Sequence, residues 1–228
     1  MAQQPLRTRW LLLTLALLAL VLLWDASGLD LAVMRLWGTE QGFALKQHPL
    51  LSRWLHTRGQ QAAVGLYLFL LVMVGWPLGP WRRLQRRERA QALIAVTLSL
   101  LTISTLKHFS LTSCPWDLDV FGGPAHHVSH WAWGTPDGGG GQCFPGGHAS
   151  SAFGFLAMAL PFLHSNDPRL QRTGRRWLLV VVLLGLVFGL TQTLRGAHYP
   201  SHTLWTAWIC WSVGLLTYTL LAARHSPR

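Results

Sequence analysis

Three polar segments interrupt a chain that is otherwise rich in leucine, valine and tryptophan. They are KHFSLTSCPWDL at 107–118, CFPGGHAS at 143–150 and TQTLRGAHYPSH at 191–202. Cleavage of a phosphate ester needs a nucleophile and a proton donor with a pKa near neutrality, and histidine supplies both. His148 and His198 therefore predict phosphoryl-transfer chemistry.

The same segments carry groups that suit an anion. Gly146 and Gly147 remove side chains where backbone N–H groups must approach a ligand, and they lead into an apolar segment that we expect to be helical. A helix N-terminus has unpaired donors and a positive dipole end. Lys107 and Arg195 add positive charge, and arginine can contact two oxygens at once. These groups predict a phosphate-binding site.

The elements that must position these groups are membrane helices. Half of the 228 residues are hydrophobic and 12% are charged, whereas soluble domains carry about 25% charged residues. A spanning helix takes about 20 mostly apolar residues. Six segments are candidates, the sixth of them short: 9–26, 61–79, 90–106, 177–195, 202–222 and 148–163. We therefore predict one all-α domain over 1–228, an integral membrane bundle of six helices whose active-site loop is extracytoplasmic.

The net charge of +11 does not indicate a nucleic-acid partner, because the basic residues follow the topology. With the N-terminus in the cytoplasm, most of them lie inside: Arg7, Arg9, Arg82, Arg83, Arg86, Arg87, Arg89, Arg169, Arg172, Arg175, Arg176, Arg224 and Arg228. This positive-inside bias predicts a multi-pass protein of the inner (plasma) membrane with both termini in the cytoplasm. All three polar segments then face the periplasm.

Residues 107–147 form the longest loop, and a long loop in a compact domain is usually functional. Cys114 and Cys143 lie in or beside it, and they either form a disulfide or remain two free thiols. The stretch 134–141 is glycine-rich and predicts flexibility. The stretch 27–60 fits one or two short interfacial helices, and 41–58 within it fits a plain surface loop equally well.

The three segments resemble, in order and spacing, the signature motifs of the type 2 phosphatidic acid phosphatase superfamily, K-x6-R-P, P-S-G-H and S-R-x5-H-x3-D. The resemblance covers residues 100–222. It implies a six-helix core with an extracytoplasmic site, and a reaction without metal. It also implies that His198 attacks phosphorus to form a phosphohistidine, while His148 protonates the leaving group and then activates water.

Four positions depart from these motifs: Cys114, Gly146, Gln192 and His202. If 191–202 is helical, Arg195 lies close enough to His198 to replace the arginine missing at Gln192. His202, four residues after His198, would then accept the Nδ1–H of the nucleophile in place of an aspartate. A carboxylate from the loop, Asp117 or Asp119, is the alternative partner.

Other functions fit the same residues. The spacing His198-x3-His202, with His126, His127 and His130 in the outer loop, also fits a metal-dependent hydrolase or a metal-binding protein. The loop histidines are otherwise plain solvated side chains. A lipid phosphotransferase would use the same catalytic residues, and a non-catalytic lipid-binding protein would not need both histidines. The expected substrate is a lipid phosphate or diphosphate in the bilayer, and the sequence gives no oligomeric state.

Overall fold

The computed structural model describes residues 3–223, with side chains from residue 8 onward, and these residues are mostly helical. The α-helices are α1 (Gln3–Ser27), α2 (Leu29–Met34), α3 (Gly59–Gly75), α4 (Arg86–Phe109), α5 (Ser150–Phe153), α6 (Leu160–Leu163), α7 (Pro168–Leu194) and α8 (Pro200–Ala223). The side chains of Arg7, Arg224 and Arg228, assigned above to the cytoplasmic side, lie outside what the structure describes.

Among the described residues, five helical segments are long and apolar enough to cross a membrane: Thr8–Ser27, Leu50–Arg83, Arg86–Phe109, Pro168–Leu194 and Pro200–Ala223. They correspond to the five clear spans of the sequence. The sixth segment, Ser150–Leu163, is shorter, as its sequence indicated, so the described residues have five long apolar helices rather than six. This segment still returns the chain to the end of the bundle where Asp167 pairs with Arg83. It consists of α5, a 3₁₀ turn at Leu156–Ala159, and α6. Gly154 and Pro161 both weaken a regular helix there.

The second span begins earlier than the apolar pattern indicated. After α2, two short antiparallel strands, β1 (Gly38–Thr39) and β2 (Gly42–Phe43), form a hairpin. A π-helix at Leu50–Arg58 then continues directly into α3. A short helix is therefore present within 27–60 as α2, and 41–58 is not a plain loop. The π-helix that ends 41–58 belongs to the second span, so it is not a separate interfacial helix.

The core lies between α4, α8 and the broken segment α5–α6. Ala92, Val96, Ser99 and Ile103 are buried on one face of α4, as expected for residues three or four positions apart. The Ser99 hydroxyl donates to the backbone carbonyl of Cys210 on α8, at 3.1 Å. Residues 152–163 are buried throughout. The short segment is thus enclosed by the longer helices and holds the residues that precede it in place.

The loop between α4 and α5 is anchored rather than open. Asp137 is buried and accepts hydrogen bonds from the backbone N–H of Ser113 at 2.5 Å, the Ser113 hydroxyl at 2.7 Å and the N–H of Gly139 at 3.0 Å. These bonds hold the pKa of the Asp137 carboxyl below its usual value, against the opposing effect of burial. The flexibility predicted for 134–141 therefore does not extend to Asp137, because these hydrogen bonds fix its carboxylate.

Candidate active site

A cavity of about 400 Å³ lies where α4, the 143–150 turn and the α7–α8 connection meet. Five predicted site residues line it: Lys107, Gly147, His148, Gln192 and His198. Three others, Gly146, Arg195 and His202, do not line it. The cavity therefore brings together one residue or more from each of the three polar segments.

The end of α7 places His198. Gly196 adopts φ +76°, a left-handed conformation that glycine takes without strain. The N–H of Gly196 donates to the Thr193 carbonyl at 3.0 Å, and the N–H of Ala197 donates to the Gln192 carbonyl at 2.8 Å. This pair of bonds is the Schellman motif that ends a helix. The helix over 191–202 on which the predicted roles of Arg195 and His202 depend is therefore not formed, and His198 lies in a tight connection before α8.

His198 is buried, and its environment keeps it neutral. Burial first, and then the charge of Lys107, lower the pKa of His198 to about 3. Nδ1 of His198 lies 3.5 Å from Sγ of Cys143. A neutral imidazole keeps one ring nitrogen with a free lone pair, which is the form that a nucleophile requires.

Cys114 and Cys143 form a disulfide, with their Cα atoms 5.1 Å apart. Of the two alternatives that the sequence left open, the structure has the bridge. It joins the loop after α4 to the turn before His148, and it places Cys143 against His198. The disulfide thus links the 107–118 segment to the 143–150 segment, and Cys143 contacts the 191–202 segment at His198.

The predicted hydrogen bond between His198 and His202 is not made. Their ring centroids are 5.7 Å apart, and both ring nitrogens of His202 are buried without a hydrogen-bond partner among the described residues. His202 lies on α8, whereas His198 precedes that helix, so the two do not share a helical face. The predicted loop carboxylates do not replace it. Asp117 accepts from the Trp116 indole, and Asp119 pairs with His126 at 2.7 Å.

Lys107 lies near the end of α4 and donates to the backbone carbonyl of Gln142. The lysine side chain passes close to position 147. A Cβ there would lie 3.1 Å from Cδ of Lys107, which is closer than ordinary contact. Gly147 thus lets the lysine stem pass, and the ammonium group reaches the cavity beside His148 and His198.

The 145–149 turn offers backbone donors, although not the ones first predicted. The N–H of Gly146 is used, because it donates to the His202 carbonyl at 3.1 Å. Ser150 and Ser151 also donate within the turn. The N–H groups of 147–149 have no hydrogen-bond partner among the described residues. Since α5 has only four residues, these successive amides, rather than a helix dipole, are what the turn presents to an anion.

Arg195 has a different position from the predicted one. Its Nε donates to the Lys46 carbonyl at 3.0 Å, and its Nη1 donates to Oε1 of Gln192 at 3.2 Å. The guanidinium carbon lies 5.9 Å from the centre of the Trp116 ring. Nε2 of Gln192 is buried without a partner among the described residues. Arg195 therefore orients Gln192, which lines the cavity.

His148 has a partner that the sequence did not reveal. Its Nε2 lies 3.0 Å from the Leu55 carbonyl, and its Nδ1 lies 3.1 Å from Nδ1 of His56, in the π-helix before α3. Burial first, and then the charge of His56, lower the pKa of His148 to about 4. His56 also lines the cavity. No pattern in 41–58 marked it, because its partner lies 92 positions away.

The loop histidines are not all solvated. His126 and His127 are exposed, as predicted. His130 instead stacks on Phe144 at 4.2 Å between ring centres, and its Nε2 lies 3.2 Å from Oδ2 of Asp25. Among the described residues, no three His, Cys, Asp or Glu side chains are arranged to hold a metal ion. The metal-site alternative thus gains no support from the geometry.

Comparison with known proteins gives one match. Residues 89–226 match the family model described as the PAP2 superfamily, and this range includes all three polar segments. No curated protein and no solved structure matches the chain.

Proposed function

The chain belongs to the PAP2 superfamily, and from this membership we propose that it is a membrane lipid phosphatase. Membership supports a phosphatase-type activity, and the five apolar helices support a multi-pass membrane protein. The proposed reaction is hydrolysis of a lipid phosphate or diphosphate at the periplasmic face, through a phosphohistidine. The single observation that carries it is the convergence of Lys107, His148 and His198 on one cavity.

His198 is the proposed nucleophile. Its low pKa keeps it neutral at physiological pH, and its Nδ1 is directed toward Cys143. Nε2 is therefore the nitrogen that remains for attack on phosphorus. Attack in line with the leaving oxygen forms the N–P bond as the P–O bond breaks.

His148 is the proposed acid and then base. Its pKa of about 4 in the empty site leaves it neutral near pH 7. An arriving phosphate carries negative charge, and an opposite charge nearby favours the protonated imidazole. Substrate binding thus raises the pKa of His148 and supplies the acid that the leaving oxygen needs. In the second step the neutral ring takes a proton from water as water attacks the phosphohistidine.

The phosphate oxygens have donors on several sides. Lys107 supplies a full charge, Gln192 supplies the unpartnered Nε2–H, and the 147–149 turn supplies backbone N–H groups. Donors fixed before the substrate arrives stabilise developing charge without rearrangement. No step of this scheme is routed through a metal ion.

A groove beside the cavity supports a lipid substrate. It has a volume of about 380 Å³ and shares Gln60, Leu100 and Gly147 with the cavity. Its wall includes Val64 and Leu101, which are 57% and 55% exposed and lie on the membrane spans α3 and α4. A hydrocarbon chain in this groove would leave its phosphate at His148 and His198.

Two observations support the periplasmic side. Basic residues concentrate on the loops opposite to the site, as the positive-inside rule requires of cytoplasmic loops. The structure also has a disulfide beside the site, and disulfides persist in oxidising compartments.

Phosphate release from lipid phosphates by the purified protein in detergent tests the proposal. We expect release from at least one lipid phosphate or diphosphate, unchanged by EDTA and inhibited by vanadate. The His198→Asn variant should release none. The matched control is His108→Asn, which changes an exposed histidine on α4 and should retain activity. Release that persists in His198→Asn, or that EDTA abolishes and zinc restores, contradicts the mechanism.

A further inference from the structure

His148 and His56 form a pair whose hydrogen positions follow from their partners. The Leu55 carbonyl can only accept, so Nε2 of His148 carries a hydrogen. Nδ1 of His148 faces Nδ1 of His56 at 3.1 Å. Two ring nitrogens at this distance form a hydrogen bond only when one proton lies between them. The pair therefore holds a proton at the Nδ1 edge, and Nδ1 is the nitrogen of His148 that remains for proton exchange, because Nε2 donates to the Leu55 carbonyl.

The pair lies between the reaction cavity and solvent. His56 lines the cavity, and its side chain is half-buried rather than enclosed. Nε2 of His56 has no hydrogen-bond partner among the described residues. The ring of His148, by contrast, is buried, and its two nitrogens face the Leu55 carbonyl and His56 rather than water.

We propose that His56 is a positioning residue that acts through His148, and that the two rings share one proton, which the leaving oxygen takes and water later restores. This inference rests on the proposed function. In the first step His198 bonds to phosphorus, the P–O bond electrons go to the leaving oxygen, and that oxygen receives the shared proton. Nε2 of each ring keeps its hydrogen, so the pair passes from one positive charge to neutral. In the second step the water oxygen bonds to phosphorus as the N–P bond breaks and its electrons return to His198, while water gives a proton to the pair. No proton is gained or lost over the cycle.

The charges around the pair agree with a single shared proton. The groups that face His148 are His56, Arg195, Lys107 and His198, and all of them are cationic or neutral. Two protons on two touching rings would repel each other and these cations. Before the phosphate arrives, the His56–His148 pair therefore carries at most one positive charge, which is spread over both rings.

The test replaces His56 by asparagine, whose side-chain amide nitrogen takes about the position of Nδ1 and donates but cannot titrate. Two substrates are compared, a long-chain alkyl phosphate, whose leaving oxygen needs a proton, and p-nitrophenyl phosphate, whose phenolate leaves without one. General acid–base catalysis contributes about 10²–10⁴-fold. We therefore expect kcat/KM of His56→Asn to fall about tenfold or more with the alkyl ester, and less than about twofold with the aryl ester. The matched control, His48→Asn, changes an exposed histidine just before the π-helix.

An equal fall with both substrates, or no fall with either, overturns the inference, because a structural role does not depend on the leaving group. A second readout needs no turnover. In NMR spectra of the histidine rings of the intact protein, assigned with His148→Gln, His56→Asn should lower the pH at which Nδ1 of His148 is protonated. The charge of His56 lowers the pKa of His148 only when His56 carries a proton of its own. That repulsion predicts a rise on substitution, and a rise or no change overturns the inference. Persistent activity of His198→Asn, in contrast, contradicts the proposed function and leaves this titration result intact.

Discussion

Replacement of Cys114 and Cys143 by alanine should lower both stability and activity. The bridge closes a loop with a sequence separation of 29. In the chain-entropy description, a loop of this length stabilises the folded state by about 3.6 kcal/mol. For a chain of this size that corresponds to a fall of about 7–14 °C in Tm.

The bridge also bears on the chemistry, through the two residues that contact its ends. Lys107 donates to the carbonyl of Gln142, next to Cys143, and Sγ of Cys143 lies against Nδ1 of His198. Without the bridge both groups lose a fixed neighbour. A displacement of about 1 Å in a reacting group can reduce the rate about 10²-fold, so we expect kcat/KM to fall about ten- to a hundredfold.

The assay is thermal unfolding in detergent together with phosphate release, for the double alanine variant and for Cys210→Ala. Cys210 is a buried free cysteine, so its alanine variant controls for the loss of a buried sulfur atom. A double variant that unfolds at the same temperature as Cys210→Ala would refute the loop-entropy argument. Unchanged kcat/KM would show that Lys107 and His198 are held without the bridge.

Three further outcomes are expected. His148→Asn should lose about 10²-fold or more with alkyl leaving groups and much less with p-nitrophenyl phosphate, measured as kcat/KM for each; equal losses would contradict its role as an acid. Arg195→Lys should lose about 10–100-fold in kcat/KM, because lysine cannot contact both Gln192 and the Lys46 carbonyl, and each hydrogen bond to a charged group contributes about 1.5–3 kcal/mol; full activity would show that the orientation of Gln192 does not depend on Arg195. Stability should fall as the pH drops below 6.5 toward the folded-state pKa of His198, about 3, because the unfolded chain takes up the proton first. At about pH 4.5 the loss from this residue is about 3 kcal/mol, and His198→Asn should remove that part of the slope in unfolding measured against pH.

The sequence predicted the spans and the convergence of the polar segments because both depend on local composition. An apolar run of sufficient length crosses a membrane whatever its neighbours are. The alternation of spans then brings Lys107, His148 and His198 to one side. The sequence does not decide between a Cys114–Cys143 disulfide and two free thiols, since spacing alone does not show whether two cysteines meet.

The roles predicted for Arg195 and His202 are wrong because they depend on one helix over 191–202. Such a helix would place Arg195 in the pocket and His202 on the same helical face as His198. Gly196 ends α7 instead, and Pro200 begins α8. Glycine just after a helix and proline soon after it are recognised stop signals, so the break could have been found. His56 could not, because nothing in its own stretch indicates which residue it meets.

The cavity has one more property that matters after the bond is broken. No acidic side chain is among the described residues that line it. In the proposed reaction, Lys107, Gln192 and the turn amides would hold phosphate oxygens equally well whether or not a lipid is attached. Nothing in the site repels the freed anion. Inorganic phosphate should therefore remain bound after hydrolysis and compete with the next substrate, so that its accumulation outside the membrane would slow the enzyme through product inhibition.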